Sequence, residues 1–171
     1  MIALRELNRF DRAAFVATLG AIFEHSPWVA EGAWEKRPFD SIDQLHAAML
    51  RTAQEADVAK RLSLLRAHPE LAGREAVAGS LTVDSSGEQG RLGFTSLKTE
   101  EFRRIAEINR RYREKFGFPC IVALRLHATR DSVLAEMKRR LGNNTETELG
   151  NALEQIGHIT RGRLEKLLGE N

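Results

Sequence analysis

Cys120-Ile121-Val122-Ala123-Leu124 is the one run in this 171-residue chain with the composition of a β-strand, and its reading decides the fold. The run is apolar and partly β-branched, but no second alternating run is present to pair with it. A lone strand leaves its N–H and C=O groups without a ladder. The run is therefore expected to be an extended or buried connector, and helices must supply the rest. On its N-terminal side, residues 98–115 place Phe102, Ile105, Ala106, Ile108, Tyr112 and Phe116 at helical spacing, with Gly117 as the C-terminal stop. On its C-terminal side, 131–141 form a helix closed by Gly142, and Thr145 with Glu148 has capping-box spacing for a last helix reaching about Leu168.

The first third of the chain reads the same way. Phe15, Leu19, Ile22 and Phe23 share a helix face. Ser26-Pro27 reads as an N-cap followed by proline at the first helical position. Ser41 and Gln44 have capping-box spacing before Leu45, Ala48, Met49 and Thr52. Residues 56–67 carry Val58, Leu62, Leu65 and Arg66 on a further helix that stops at His68-Pro69, because the residue before a proline disfavours helical geometry. Five glycines between 69 and 94 mark a loop-rich stretch with one short helix. The expectation is all-α: a single compact domain, 1–171, of seven to nine unequal helices. The unequal lengths argue against an up-down four-helix bundle.

Composition narrows the function classes. The hydrophobic fraction of 42%, the charged fraction of 29% and the net charge of +2 are ordinary for a globular protein. The basic clusters Arg103-Arg104, Arg110-Arg111-Tyr112-Arg113 and Lys138-Arg139-Arg140 are interleaved with Glu100, Glu101, Glu107, Glu114 and Glu136. That mixture reads as solvated helix faces with i,i+4 pairs rather than a nucleic-acid footprint. The single cysteine, Cys120, allows no intrachain disulfide, and no stretch reaches the ~18 apolar residues of a membrane span. With no apolar signal core near Met1, the expected setting is the cytoplasm.

The candidate chemistry starts at His68. A histidine fixed by Pro69 at a helix exit is a plausible acid/base group, since imidazole titrates near neutral pH. The structural alternative is a ring that caps the preceding carbonyls. Glu70, two residues on, reads as a surface carboxylate. Ser85 and Glu88 have capping-box spacing, which explains both structurally, but nothing in a capping box needs Gln89. A paired amide donor and acceptor at Gln89 suits a polar heterocycle. Arg161 and Arg163 lie late in the last helix, and either could bind a carboxylate with two parallel bonds. Arg163 lies seven residues after Ile156, close to the apolar stripe. His25, His46, His127 and His158 share no metal-ligand spacing, and no phosphate-cradling glycine motif is present. Cys120 reads as a buried, inert thiol.

These motifs resemble one family, the 2-oxo-4-hydroxy-4-carboxy-5-ureidoimidazoline (OHCU) decarboxylases of urate breakdown. The resemblance runs through Ser26-Pro27-Trp28-Val29-Ala30, Leu65-Arg66-Ala67-His68-Pro69-Glu70-Leu71-Ala72-Gly73, Ser85-x-x-Glu88-Gln89, Lys115-Phe116-Gly117-Phe118-Pro119 and Ile159-Thr160-Arg161-Gly162-Arg163-Leu164. It implies an all-α homodimer, without cofactor or metal, that converts the small molecule OHCU to (S)-allantoin and carbon dioxide. No membrane or nucleic-acid partner is expected, from the hydropathy and the charge mixing above. By motif, His68 is the implied catalytic histidine and Glu88 its acidic partner. Pro69, Ser85 and Gln89 are implied to bind substrate, Phe118 to Ile121 to give an apolar wall and backbone contacts, and Arg163 to meet the substrate, with Arg161 as the other possibility. Cys120 departs from the phenylalanine usual there. Two other readings stand beside this one. The chain could be a helical interaction protein in which His68, Ser85 and Glu88 are caps only, or a decarboxylase or hydrolase of a different ureide.

Overall fold

The computed structural model describes residues 1–169. Its elements in chain order are β1 (Ile2–Ala3), α1 (Leu4–Leu7), α2 (Arg12–Leu19), α3 (Trp28–Trp34), α4 (Ile42–Glu55), α5 (Val58–Ala67), α6 (Arg74–Ala78), α7 (Val83–Arg91), α8 (Thr99–Phe116), a 3₁₀ turn (Leu124–Leu126), α9 (Arg130–Arg140), α10 (Thr145–Leu167) and β2 (Leu168–Gly169). The fold is mostly α. Among the described residues there are ten α-helices, three of them seven residues or shorter. The extended run before Leu124 is indeed a connector and pairs with no strand. Among the described residues there is one β pairing, parallel Ile2↔Leu168 and Ala3↔Gly169, too short to be read from sequence.

Several helix starts differ from the sequence reading. Trp28 opens α3 with Pro27 in the cap position, and the Ser26 side chain makes no capping bond. Ser41 does cap α4, its Oγ accepting from Gln44 N at 3.1 Å, but Gln44 Oε1 accepts from Asp40 N at 2.9 Å, one residue before the expected partner. Thr82, not Ser85, caps α7, accepting from Ser85 N at 3.3 Å. Asn144 does the same for α10, accepting from Thr147 N at 2.8 Å. Thr82 stands three residues before Ser85 and Asn144 one residue before Thr145, so in α7 and α10 the N-cap is a side-chain oxygen upstream of the expected one.

Chain contacts divide the molecule into two units: Met1–Ala67 together with the chain from Gly157 onward, and His68–Ile156. In the first unit α2, α3 and α4 bury Phe15, Leu19, Val29, Ala30, Leu45, Met49 and Ala53. The α3–α4 approach needs Gly32, since a Cβ there would lie 2.3 Å from Thr52 Cγ2. In the second unit Ile105, Ile108, Tyr112 and Phe116 of α8 are buried, as are Phe118, Val133 and Met137. The rings of Tyr112 and Phe116 are 4.5 Å apart. The polar side of α8 is solvated as expected, with Arg110 bridging Glu107 (2.7 Å) and Glu114 (2.8 Å). Arg140 breaks the expected pattern. The sequence groups it with solvated Lys138 and Arg139, yet its relative exposure is 0%. Its position explains this, because it falls three residues after Met137 and seven after Val133, on the buried stripe of α9.

Candidate active site

Helix α5 ends at Ala67, and the chain turns through His68, Pro69, Glu70, Leu71 and Ala72 into α6. His68 is buried, at 6% exposure, while Pro69 is half-buried. The turn contains a strained residue. Ala72 has φ +48°, a left-handed backbone that a residue with a Cβ adopts only when its surroundings impose it. Here the imposing groups are visible. Gln89 Oε1 accepts from Ala72 N at 2.9 Å and Gln89 Nε2 donates to Glu70 O at 3.2 Å. From α8, Asn109 Nδ2 donates to Leu71 O at 2.9 Å. The Glu70 carboxylate pairs with Arg113. Three consecutive residues after Pro69 are thus held by side chains of two different helices.

On α7, Ser85, Glu88 and Gln89 stand at i, i+3 and i+4 and share one face. Ser85 and Gln89 are buried and Glu88 is half-buried. Because Gln89 is bonded to the turn that begins at His68, this face and that turn are brought together. The amide of Gln89, expected to read a ligand, spends one donor and one acceptor on the turn. One N–H and one lone pair remain for anything else. At the other end of α7, Arg91 donates to Leu124 O and to His127 O, the latter at 2.9 Å. Helix α7 is therefore tied to the connector as well.

The connector from Phe118 to Ala123 is buried throughout. With no ladder, its backbone groups depend on side chains. Arg140 Nη1 donates to Ile121 O at 2.6 Å, and Gln155 Oε1 accepts from Ala123 N at 2.8 Å. Among the described residues, no protein group accepts from the N–H of Cys120, Ile121 or Val122. Burial pushes the Cys120 thiol up to about 12, so it stays protonated at neutral pH. Among the described residues, no group of His, Cys, Asp and Glu is arranged to hold a metal ion.

The two late arginines, in the first unit, differ sharply. Arg161 is partly exposed and pairs with Asp43 (2.8 Å) and Glu165 (3.5 Å). Arg163 is buried, with Nη2 on Glu24 Oε1 at 2.8 Å and Nη1 on Ile22 O at 3.2 Å. Glu24 is itself buried and holds φ +47°. The sequence reading missed Glu24, Asn109, Arg140, Glu148 and Gln155. For Asn109 a signal existed: it lies four residues after Ile105 and three before Tyr112, on the apolar stripe of α8.

A mostly helical protein, in which the turn that follows a buried histidine at a helix exit is bonded to a polar helix face, is the class that this fold and site define. The chain belongs to the OHCU decarboxylase family, whose model matches residues 8–165. A 2-oxo-4-hydroxy-4-carboxy-5-ureidoimidazoline decarboxylase of Haloferax volcanii is 39% identical over 163 residues, covering 95% of this chain and 94% of the relative. The crystal structure of an (S)-allantoin synthase superposes with a TM-score of 0.79 at 31% identity, covering 99% of this chain and 54% of that one. This chain thus spans about half the length of that protein. An OHCU decarboxylase crystallised in the presence of (S)-allantoin shares the fold, with a TM-score of 0.68 at 21% identity, covering 92% of this chain and 98% of that one.

Proposed function

We propose that this chain decarboxylates OHCU to (S)-allantoin and carbon dioxide in urate breakdown. The observation that carries the reading is the Gln89 clamp. It joins the Ser85–Glu88–Gln89 face to the turn that starts at His68, two motifs seventeen or more positions apart in sequence. The family match over 8–165 crosses both contact units and supports treating 1–171 as one functional domain.

The substrate's name defines the chemistry. One ring carbon bears both the hydroxyl and the carboxylate, and its neighbour bears the ureido group and an imine-like bond to nitrogen. When the carbon–carboxylate bond breaks, its electron pair forms a double bond to that neighbour, and the imine pair moves onto nitrogen, which takes up a proton. The resulting enol loses its hydroxyl proton and gains a proton at the ureido-bearing carbon, which yields the allantoin ring. The substrate supplies its own electron sink, so the reaction calls for no thiamine or pyridoxal group.

In this reading His68 is the acid/base that takes the hydroxyl proton or relays one later. Glu88 orients the ring and stabilises the imidazolium. Ser85 and the remaining amide valences of Gln89 bind the substrate's polar edge. Pro69 and Phe118 are apolar surface, and the N–H groups around Ile121 offer donors that no protein group uses. Arg163, buried and held in one orientation by Glu24, is the better candidate than Arg161 for an anionic oxygen, because a preset guanidinium loses less freedom on binding. The family's homodimer and a cytoplasmic setting complete the proposal. A dimer would sediment at twice the chain mass of 19.2 kDa.

The test generates OHCU in situ from urate and follows circular dichroism. Growth of the (S)-allantoin signal that depends on this protein supports the assignment. A rate equal to spontaneous decay, with racemic product, rejects it.

A further inference from the structure

The second unit contains a buried ionic cluster that none of the roles above uses. Arg140, Glu148 and Tyr112 each have 0% relative exposure. The Glu148 carboxylate is saturated. Its Oε2 accepts from Tyr112 Oη, from Arg140 Nε at 3.0 Å and lies 3.0 Å from Arg140 Nη2. Its Oε1 accepts from Asn143 Nδ2 at 2.7 Å and Asn151 Nδ2 at 2.8 Å. Arg140 Nη2 also reaches Tyr112 Oη at 3.3 Å. Burial alone would raise the Glu148 carboxyl, but the bonds from Tyr112, Asn143, Arg140 and Asn151 more than offset it and hold it low. Burial is the largest cause that pushes the Tyr112 phenol up, and the bond to the Glu148 carboxylate adds to it, so it stays protonated and donates.

Such a cluster is a poor device for stability alone. Removing two charges from water costs several kcal/mol per ion, and apolar replacements of similar volume are often as stable or more so. With Asn143 and Asn151 counted in, most of these bonds lie within the cluster. The bond that ties it to the connector runs from Arg140 Nη1 to Ile121 O at 2.6 Å, the middle of that segment. About two turns of α10 beyond Glu148, Gln155 holds Ala123 N. Glu148, Asn151 and Gln155 stand at i, i+3 and i+7 on α10, a polar stripe on a helix whose Ala152 and Ile156 are buried.

We propose that Arg140, Glu148, Tyr112 and Gln155 are positioning residues: they fix the height and tilt of the Phe118–Ala123 backbone against the substrate. The inference rests on the reading of that segment as a substrate wall. A saturated carboxylate allows the guanidinium one orientation, and that orientation sets the Ile121 carbonyl. The carbonyl then fixes the peptide planes on either side, and with them the directions of the N–H groups that no protein group uses. A wall that binds ground state and transition state alike acts on KM more than on kcat. A purely architectural cluster would behave differently. Weakening it would lower the folded fraction, and with it the apparent kcat, at unchanged KM.

The test compares wild type with the apolar triple variant Arg140→Met/Glu148→Leu/Tyr112→Phe and, separately, with Gln155→Met, which leaves the ion pair intact. Thermal unfolding, KM and kcat on OHCU generated in situ are measured for each. Wild-type turnover comes first, and its absence would defeat the functional reading rather than this inference. Given turnover, the triple variant is expected to fold with a melting temperature near wild type and to lose roughly 10–100-fold in kcat/KM, mainly through KM, since a shift of ~1 Å can cost ~10²-fold. Gln155→Met is expected to raise KM in the same sense. A folded triple variant with wild-type KM overturns the proposal. If the triple variant does not fold, Gln155→Met decides alone: a raised KM supports the proposal and an unchanged KM overturns it.

Discussion

Replacing Gln89 with methionine tests the clamp with little change in volume. In the native turn Gln89 satisfies two backbone groups, Ala72 N at 2.9 Å and Glu70 O at 3.2 Å. Ala72 is buried at 4% exposure, so its N–H has no route to water once the amide is gone, whereas half-buried Glu70 has a partial one. A buried group left unsatisfied costs about 1–3 kcal/mol. Counting Ala72 fully and Glu70 at the low end gives about 2–4 kcal/mol. The apolar burial of methionine offsets part of this, leaving about 2 kcal/mol. For a chain of this size each kcal/mol moves the melting temperature by roughly 2–4 °C, so Gln89→Met should melt roughly 4–8 °C lower. Asn109→Leu, which frees Leu71 O, acts on the same turn. The two variants should therefore be non-additive by at least ~0.5 kcal/mol, because a turn released once cannot be released again. Circular-dichroism melts of the two single variants and the double variant supply every quantity. A Gln89→Met melting temperature within ~1 °C of wild type, or strict additivity with Asn109→Leu, would refute the clamp.

Four further outcomes follow from the structure. Ala72→Gly should stabilise by about 1 kcal/mol in thermal melts, since relief of the +48° backbone (about 1–3 kcal/mol) exceeds the entropy cost of glycine. Glu24→Gly relieves a similar angle but strips the carboxylate from buried Arg163, and should destabilise by about 2 kcal/mol or more; a stabilised Glu24→Gly would contradict the pairing. Burial, and then the nearby Arg161 charge, lower the pKa of His46 below its ordinary 6.5. The unfolded chain then takes up the proton first as pH falls. His46 thus supports stability above pH 6.5 and loses that contribution as pH drops through its folded value, so His46→Gln should flatten the acid side of a melting-temperature-versus-pH curve. Arg163→Lys should reduce kcat/KM by 10-fold or more through loss of the preset fork, with Arg161→Lys within a few-fold of wild type; the reverse order in steady-state assays would move the role to Arg161.

The helices were legible because their signals are local. Apolar spacing, Gly117 after α8 and Pro69 after α5 each constrain a few neighbouring residues, and the structure follows them. The absence of a partner for residues 120–124 was equally plain, since strand pairing leaves a second apolar run as its trace. Caps were less legible: Ser85 and Thr145 had the right spacing, but Thr82 and Asn144 stood just upstream with equally suitable oxygens. The positioning residues were the hardest. Arg140 looks solvated in a charged neighbourhood and Glu148 looks like a capping partner of Thr145, and only three-dimensional packing puts both at 0% exposure. Gln89 was singled out because a capping box had no use for it. Its partners, the backbone of Glu70 and Ala72, have no side-chain signature and could not be read in advance.

The central claim is that His68, fixed at the exit of α5, performs acid/base work on OHCU. The most direct measurement is single-turnover decarboxylation by wild type and by His68→Asn, followed by circular dichroism with the folded state of both confirmed by melting. Loss of one positioned acid/base group predicts a fall of about 10²–10⁴-fold for His68→Asn, with melting temperature little changed and the residual product racemic. A folded His68→Asn protein that makes (S)-allantoin at the wild-type rate would contradict the account.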